Sequence, residues 1–128
     1  MSNGLCPCGR GIAFSDCCGP LHAGEAAPTA ERLMRSRYSA FAVGDPGYLL
    51  RTWNATTRPM GLELDGDLTW QRLFVERAEA GGPFDDEGFV TFTAIARGPE
   101  GRIEQWERSR FRRAGPDRRW VYVDGSVS

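Results

Sequence analysis

Every cysteine in the chain lies in one run of thirteen residues, Cys6-Pro7-Cys8-Gly9-Arg10-Gly11-Ile12-Ala13-Phe14-Ser15-Asp16-Cys17-Cys18. Two thiols sit in a C-x-C turn and two are adjacent after an eight-residue loop. This spacing suits tetrahedral thiolate ligation of one metal ion. Pro7 fixes one backbone angle and Gly9 accepts a left-handed one, so a tight knuckle can turn the first two sulfurs inward. On a strand Cys17 and Cys18 would point to opposite faces, so they can share a metal only on a turn or at a helix start. Disulfides are the alternative, with three possible connectivities. A Cys17–Cys18 bridge would close a strained ring, however, and Cys6–Cys8 is little better. The opening Met1-Ser2-Asn3-Gly4 carries neither the basic segment nor the apolar run of an export signal. A cytoplasmic location is therefore expected, where clustered cysteines bind metal more often than they bridge. Zinc is the first expectation, and iron is the other metal that thiolates accept. His22, the only histidine, is a substitute ligand for one of the four cysteines.

The pattern C-P-C-G…C-C-G resembles the SEC-C motif, best known as the zinc-binding tail of the SecA preprotein translocase motor, where it faces protein partners. That motif usually carries lysines between its cysteine pairs. This chain keeps Gly9, Gly11 and the aromatic Phe14 but has Ile12 and Ala13 where lysines are expected. The change removes charge that would attract RNA.

A chain of 128 residues suits one main domain plus the knuckle. It is 41% hydrophobic and 26% charged, and no apolar run approaches the ~20 residues that span a bilayer, so membrane insertion is not expected. The net charge of −1 gives no general attraction to nucleic acid or anionic lipid. Charge is uneven along the chain. Residues 60–88 hold Glu63, Asp65, Asp67, Glu76, Glu79, Asp85, Asp86 and Glu87 against Arg72 and Arg77, whereas residues 102–119 are basic. Such blocks either face each other across a sheet or are solvated edges, and the second is the default reading. The same reading applies to Arg108, Arg110 and Arg112, which lack an accompanying phosphate loop.

After a connector, Thr29 can cap a helix that runs to about Val43, with Glu31 in its first turn and Gly44 ending it. Ala30, Leu33, Met34, Tyr38 and Phe41 form its apolar stripe, and Arg32, Arg35, Ser36 and Ser39 are expected to lie away from it. Arg37 falls within the stripe. Its guanidinium cannot shed its proton, so in a core it must meet a carboxylate or several carbonyls. Asp45-Pro46 starts a short helix expected to reach about Trp53. The period then changes to that of strands: Thr69 to Ala80, Gly88 to Arg97, Arg102 to Arg113 and Arg119 to Asp124, separated by Gly- and Pro-rich turns. Helices followed by an antiparallel meander define an α+β domain.

Leu33-Met34-Arg35-Ser36-Arg37-Tyr38-Ser39-Ala40-Phe41, Tyr48-Leu49-Leu50-Arg51-Thr52-Trp53, Glu107-Arg108-Ser109-Arg110-Phe111 and Trp120-Val121-Tyr122-Val123-Asp124-Gly125 resemble the bacterial family typified by YchJ. The resemblance implies a nuclear-transport-factor-2-like cone, with helices packed in the concave face of a bent sheet. Residues 1–28 would be the metal knuckle and connector, and 29–128 the cone. The polar groups expected to point inward are Arg37, Glu107 and Asp124, with Tyr38, Trp53 and Ser109 near them. An ion pair of Arg37 with Glu107 or Asp124, pinning helix to sheet, is the expected arrangement. The expected role is interaction with a protein partner through a structural metal knuckle. The alternative is a small-molecule-binding protein or enzyme using the cone. Nucleic acid is not expected as a partner, and homodimerisation through the open sheet face is a further possibility.

Overall fold

A computed structural model describes residues 4–127. Met1-Ser2-Asn3, read above for an export signal, and Ser128 lie outside the described residues. A short 3-10 turn, Phe14–Asp16, precedes α1 (Cys18–His22), α2 (Ala30–Val43) and α3 (Pro46–Arg51). The strands β1 (Thr69–Ala80), β2 (Glu87–Gly98), β3 (Gly101–Ala114) and β4 (Arg119–Val127) follow. They form one antiparallel sheet in the order β1-β2-β3-β4. The fold is α+β, and helix α2 packs on β1, β2 and β4. Among the described residues no helix is long and apolar enough to cross a membrane.

Local chemistry sets the helix ends. Thr29 Oγ1 accepts from the Arg32 amide at 3.1 Å, and Gly44 closes α2 in the left-handed conformation at φ 79°. Asp45 Oδ1 accepts from the Tyr48 amide at 3.1 Å, with Pro46 opening α3. Helix α3 stops at Arg51, short of the expected Trp53, because the next residues pair with the sheet. Tyr122 N–H donates to Thr52 O at 2.8 Å, and Asn54 N–H donates to Tyr122 O at 2.7 Å. Trp53 thereby forms a parallel bridge to Tyr122 at the free edge of β4.

Two expectations need correction. Ser36 and Ser39, placed by periodicity away from the apolar stripe, are fully buried. The reason is that α2 is covered on two sides, by the sheet and by the knuckle with α3. Ser36 Oγ donates to Leu33 O at 2.7 Å and accepts from the Tyr48 hydroxyl at 2.7 Å, so its burial leaves no polar group unmatched. The acidic and basic blocks are also not merely solvated edges, because the hairpins bring them together. Arg108 pairs with Glu79 at 3.2 Å, Arg110 with Asp124 at 3.1 Å and with Glu87 at 3.5 Å, and Arg118 with Asp86 at 2.6 Å. Such exposed pairs are individually weak, so they guide register more than they stabilise.

The start of α2 touches the β1–β2 hairpin through glycine. Ala30 N–H donates to Gly81 O at 2.9 Å, and Gly81 N–H to Glu87 O at 3.1 Å. Gly81 has φ +77°, and a Cβ there would stand 2.7 Å from Ala30 Cβ. Gly115 has a similar φ of +76° but open space around it. Gly115→Ala is therefore expected to cost only backbone strain, about 1–2 kcal/mol. Gly81→Ala adds a steric clash and should cost at least about 1 kcal/mol more. Urea unfolding of the two variants measures the difference; equal losses would show that the helix–hairpin contact yields freely.

Candidate functional site

The four cysteines converge. Leu5 bridges to Ala13, and Cys6 N–H donates to Ile12 O at 2.8 Å, folding the loop back on itself. Gly9 takes a left-handed φ of +88°, as the C-x-C turn requires. Cys17 sits between the 3-10 turn and α1, and Cys18 is the first residue of α1. This is the helix start that lets adjacent cysteines face one point. A close approach fixes the junction, since a Cβ on Gly19 would lie 2.8 Å from Phe14 O. All four sulfurs lie within 4.8 Å of one another and all four cysteines are buried and free of disulfides. Tetrahedral zinc at about 2.3 Å from each sulfur would require separations of about 3.8 Å, so the set fits one ion after a small contraction.

The electrostatics ask for a cation. Hydrogen bonds from Cys18 and Cys8 hold the Cys6 thiol far below its ordinary range. Its contacts with Cys6 and Cys8, together with burial, push the Cys18 thiol far up. Cys6, Cys8 and Cys18 cannot all ionise unaided at such close range, and a bound dication removes that conflict. Polar groups surround the cluster. Ser39 Oγ lies 3.5 Å from Cys6 Sγ, and Arg10 Nη1 donates to Cys17 Sγ at 3.5 Å. From α2, Arg35 donates to Cys8 O at 2.8 Å and Arg32 to Cys17 O at 3.3 Å. Groups of this kind orient ligands and tune their charge. His22 stands outside the cluster. Its Nε2–H donates to Ser36 O at 2.8 Å while its ring packs between Phe14 and Tyr48.

A second feature lies on the opposite side of α2, between the helices and the sheet. It is a cavity of about 250 Å³, lined by Arg37, Tyr38 and Phe41 of α2, Trp53, and Glu107 and Ser109 of β3 among others. Arg37 is 7% exposed. Its Nη1 donates to Leu49 O at 2.8 Å and to Thr52 Oγ1 at 2.7 Å, which places the charge at the C-terminal end of α3, where helix carbonyls favour a cation. The guanidinium also stacks over Tyr122 at 4.6 Å and Trp53 at 5.2 Å. Burial lowers Arg37 to about 10, so it remains charged at neutral pH.

The expected ion pair of Arg37 with Glu107 or Asp124 is absent. Arg37 pins helix to helix, using a carbonyl and a hydroxyl instead of a carboxylate, and Glu107 is engaged elsewhere. Ser109 Oγ donates to Glu107 Oε2 at 2.6 Å and the Tyr122 hydroxyl does so at 3.1 Å. The carboxylate occupies the space that a side chain on Gly125 would fill. Asp124 points to the outer face, paired with Arg110. Strict alternation from Trp120 and Tyr122 would turn Asp124 inward. The register instead shifts between Arg110 and Phe111, leaving Val123 without a partner and reversing the faces beyond it. Gly125 thus pairs with Ser109 and leaves room for Glu107. Tyr122, Trp70, Phe92 and Gln105 also line the cavity and were not among the candidates. The alternation of Gln105, Glu107, Ser109 and Phe111 was the available signal for Gln105.

Residues 29–125 match the YchJ middle NTF2-like domain, and residues 3–20 match the SEC-C motif. The chain belongs to the YchJ family. Relatives in this family, UPF0225, include a Corynebacterium efficiens protein 49% identical over 124 residues, covering 96% of this chain and 93% of the relative. A Streptomyces coelicolor protein is 51% identical over 121 residues, covering 94% and 93%. The solution structure of a SEC-C motif containing protein from Rhodopseudomonas palustris superposes with TM-score 0.81 at 32% identity, over 96% of this chain and 98% of that one. A crystal structure of a SEC-C motif containing protein from Psychrobacter arcticus gives 0.79 at 28% identity, over 97% and 82%.

Burial pushes the Tyr38 hydroxyl, on the cavity wall of this YchJ-family cone, up to about 12. Below its ordinary value of 10 the tyrosine is protonated whether folded or unfolded. Between 10 and 12 the unfolded chain releases that proton and the folded one keeps it, so stability falls as pH rises. Tyr38→Phe has no proton to lose. Wild-type stability should therefore drop relative to Tyr38→Phe across this window in denaturant unfolding; parallel pH curves would contradict the burial of this hydroxyl.

Proposed function

We propose that this YchJ-family chain is a protein-interaction module whose SEC-C knuckle is held on the cone by one structural zinc ion. The reading is carried by the closed donor set, in which Cys6, Cys8, Cys17 and Cys18 supply four buried sulfurs. A tetrahedral ion so bound has no open position for substrate, and it contributes folding free energy, on the order of 10 kcal/mol in small zinc domains. Zinc suits the role better than iron because it has no redox chemistry and accepts the tetrahedral arrangement without preference of its own. What the knuckle offers outward is the 64% exposed Leu5 and the exposed tip Gly9-Arg10-Gly11. An exposed apolar side chain and a single arginine suit a protein surface. A single positive charge is a poor match for a nucleic-acid backbone. A cytoplasmic, reducing location agrees with four free thiols kept for metal.

A second reading is favoured by a separate observation: Arg37, Glu107, Ser109 and Tyr122 converge in an aromatic cavity. Small-molecule sites combine an apolar lining with a few fixed polar groups in this way. Nothing in that cavity requires chemistry, and ligand binding accounts for it as fully as catalysis does.

Protein purified without added metal should carry one zinc per chain by elemental analysis. Cys8→Ser with Cys17→Ser should lose the metal and its stabilisation, whereas Leu5→Ser should keep the metal and lose the partner captured by wild type. Iron in place of zinc would overturn the metal assignment. A partner held equally by wild type, Leu5→Ser and the double cysteine variant would overturn the role of the knuckle surface.

A further inference from the structure

We propose that the cone cavity binds a small, neutral, planar ring compound carrying a carbonyl acceptor beside an N–H or O–H donor; this rests on the ligand-binding reading of the cavity above. Two polar groups on its wall have unused capacity. Arg37 makes both of its hydrogen bonds through Nη1, leaving Nε and Nη2 without a partner among the described residues. Glu107 accepts both of its hydrogen bonds at Oε2, and Oε1 accepts none among the described residues. Tyr122 joins the two groups, with its ring against the guanidinium and its hydroxyl on the carboxylate. The cavity therefore offers a donor and an acceptor on its wall, linked through Tyr122. A ligand whose carbonyl faces Arg37 and whose N–H or O–H faces Glu107 satisfies both.

Charge decides between ligand classes. The guanidinium and carboxylate sum to zero, and neither forms a salt bridge with the other. A neutral ligand preserves that balance. An anion would face Glu107 and a cation Arg37, each adding an uncompensated charge to a largely buried site. The body of the ligand follows from the walls: Tyr38, Phe41, Trp70, Phe92 and Phe111 present flat apolar surface. A volume of about 250 Å³ is just below the usual range for ligand pockets, about 300–1,000 Å³, so one ring or two fused rings is the size that fits.

The test uses the full chain with its metal, observed through its four tryptophan indole resonances by NMR. The probes are carbostyril, a neutral fused ring with adjacent C=O and N–H, and three controls of similar size: naphthoate, naphthamidine and naphthalene. Carbostyril should shift Trp53 and Trp70, leave Trp106 and Trp120 unmoved, and bind at least about tenfold more tightly than each control. Glu107→Gln should weaken it by about tenfold, and Ala94→Leu, which fills the cavity, should abolish binding. Should either variant fail to fold, the ranking of the four probes on the wild type still decides. Naphthalene binding as well as carbostyril would remove the polar pair from the account, and tighter binding of naphthoate or naphthamidine would overturn neutrality. In those cases the ligand class fails while the cavity reading stands. If no probe moves Trp53 or Trp70, the cavity reading itself fails.

Discussion

Helix α2 is enclosed on both sides, and the rest of the molecule is arranged by what each side needs. Leu33, Met34 and Tyr38 are buried toward the apolar core, while Ser36 and Ser39 are buried against α3 and the knuckle. A helix with polar residues buried on one side costs free energy unless each finds a partner. Here Tyr48, Cys6 and the carbonyl of Leu33 supply those partners. The knuckle is thus not an appendage on a finished cone. Its cysteines belong to the same core cluster as Phe111 and Trp120 of the sheet. A metal held by those cysteines would order the loop that covers α2, and so its folding free energy would reach the cone as well as the knuckle.

Arg37 shows how one charge can be accommodated in such a core without a countercharge. The Leu49 carbonyl and Thr52 hydroxyl at the end of α3 supply partial negative charge, and two aromatic faces supply the rest. An ion pair with Glu107 would have tied α2 to β3. The observed arrangement ties α2 to α3 instead and leaves Glu107 to Ser109 and Tyr122. That division keeps the cavity open, because a guanidinium bonded across it to the carboxylate would fill it.

Helices α2 and α3, the four strands and their order were legible because their signals are local, whereas the short α1 fell within what was read as a turn and connector. Thr29, Gly44 and Asp45-Pro46 act within one turn of chain, and glycine-rich turns mark the hairpins. The convergence of the cysteines was equally legible, since thirteen residues leave few other arrangements for four thiols. What escaped the sequence depends on distant neighbours. Periodicity divides α2 into an apolar and a polar side, but it cannot say that a second layer covers the polar side. Ser36 and Ser39 were misplaced for that reason. Asp124 was misplaced by a single unpaired residue, Val123, which reverses the alternation of β4. Gly125 held the compensating clue: a position without a side chain, opposite Ser109, is where the Glu107 carboxylate can lie.

On the outer face of the sheet the arginines of β3 are interleaved with carboxylates. Arg108 lies over Phe89 and pairs with Glu79, and Arg110 is shared by Asp124 and Glu87. A phosphate would have to displace these carboxylates, which arrive from β1, β2 and β4. Each exposed pair is weak, but acidic groups interleaved among the arginines reduce the positive potential that draws a polyanion from a distance. The bulge in β4 contributes directly to this. By turning Asp124 outward it adds a carboxylate beside Arg110, and by the same shift it brings Gly125 under Glu107. One inserted residue therefore sets the charge of the outer face and the position of the carboxylate on the inner one. The strand position expected to face the cavity serves instead to neutralise the surface.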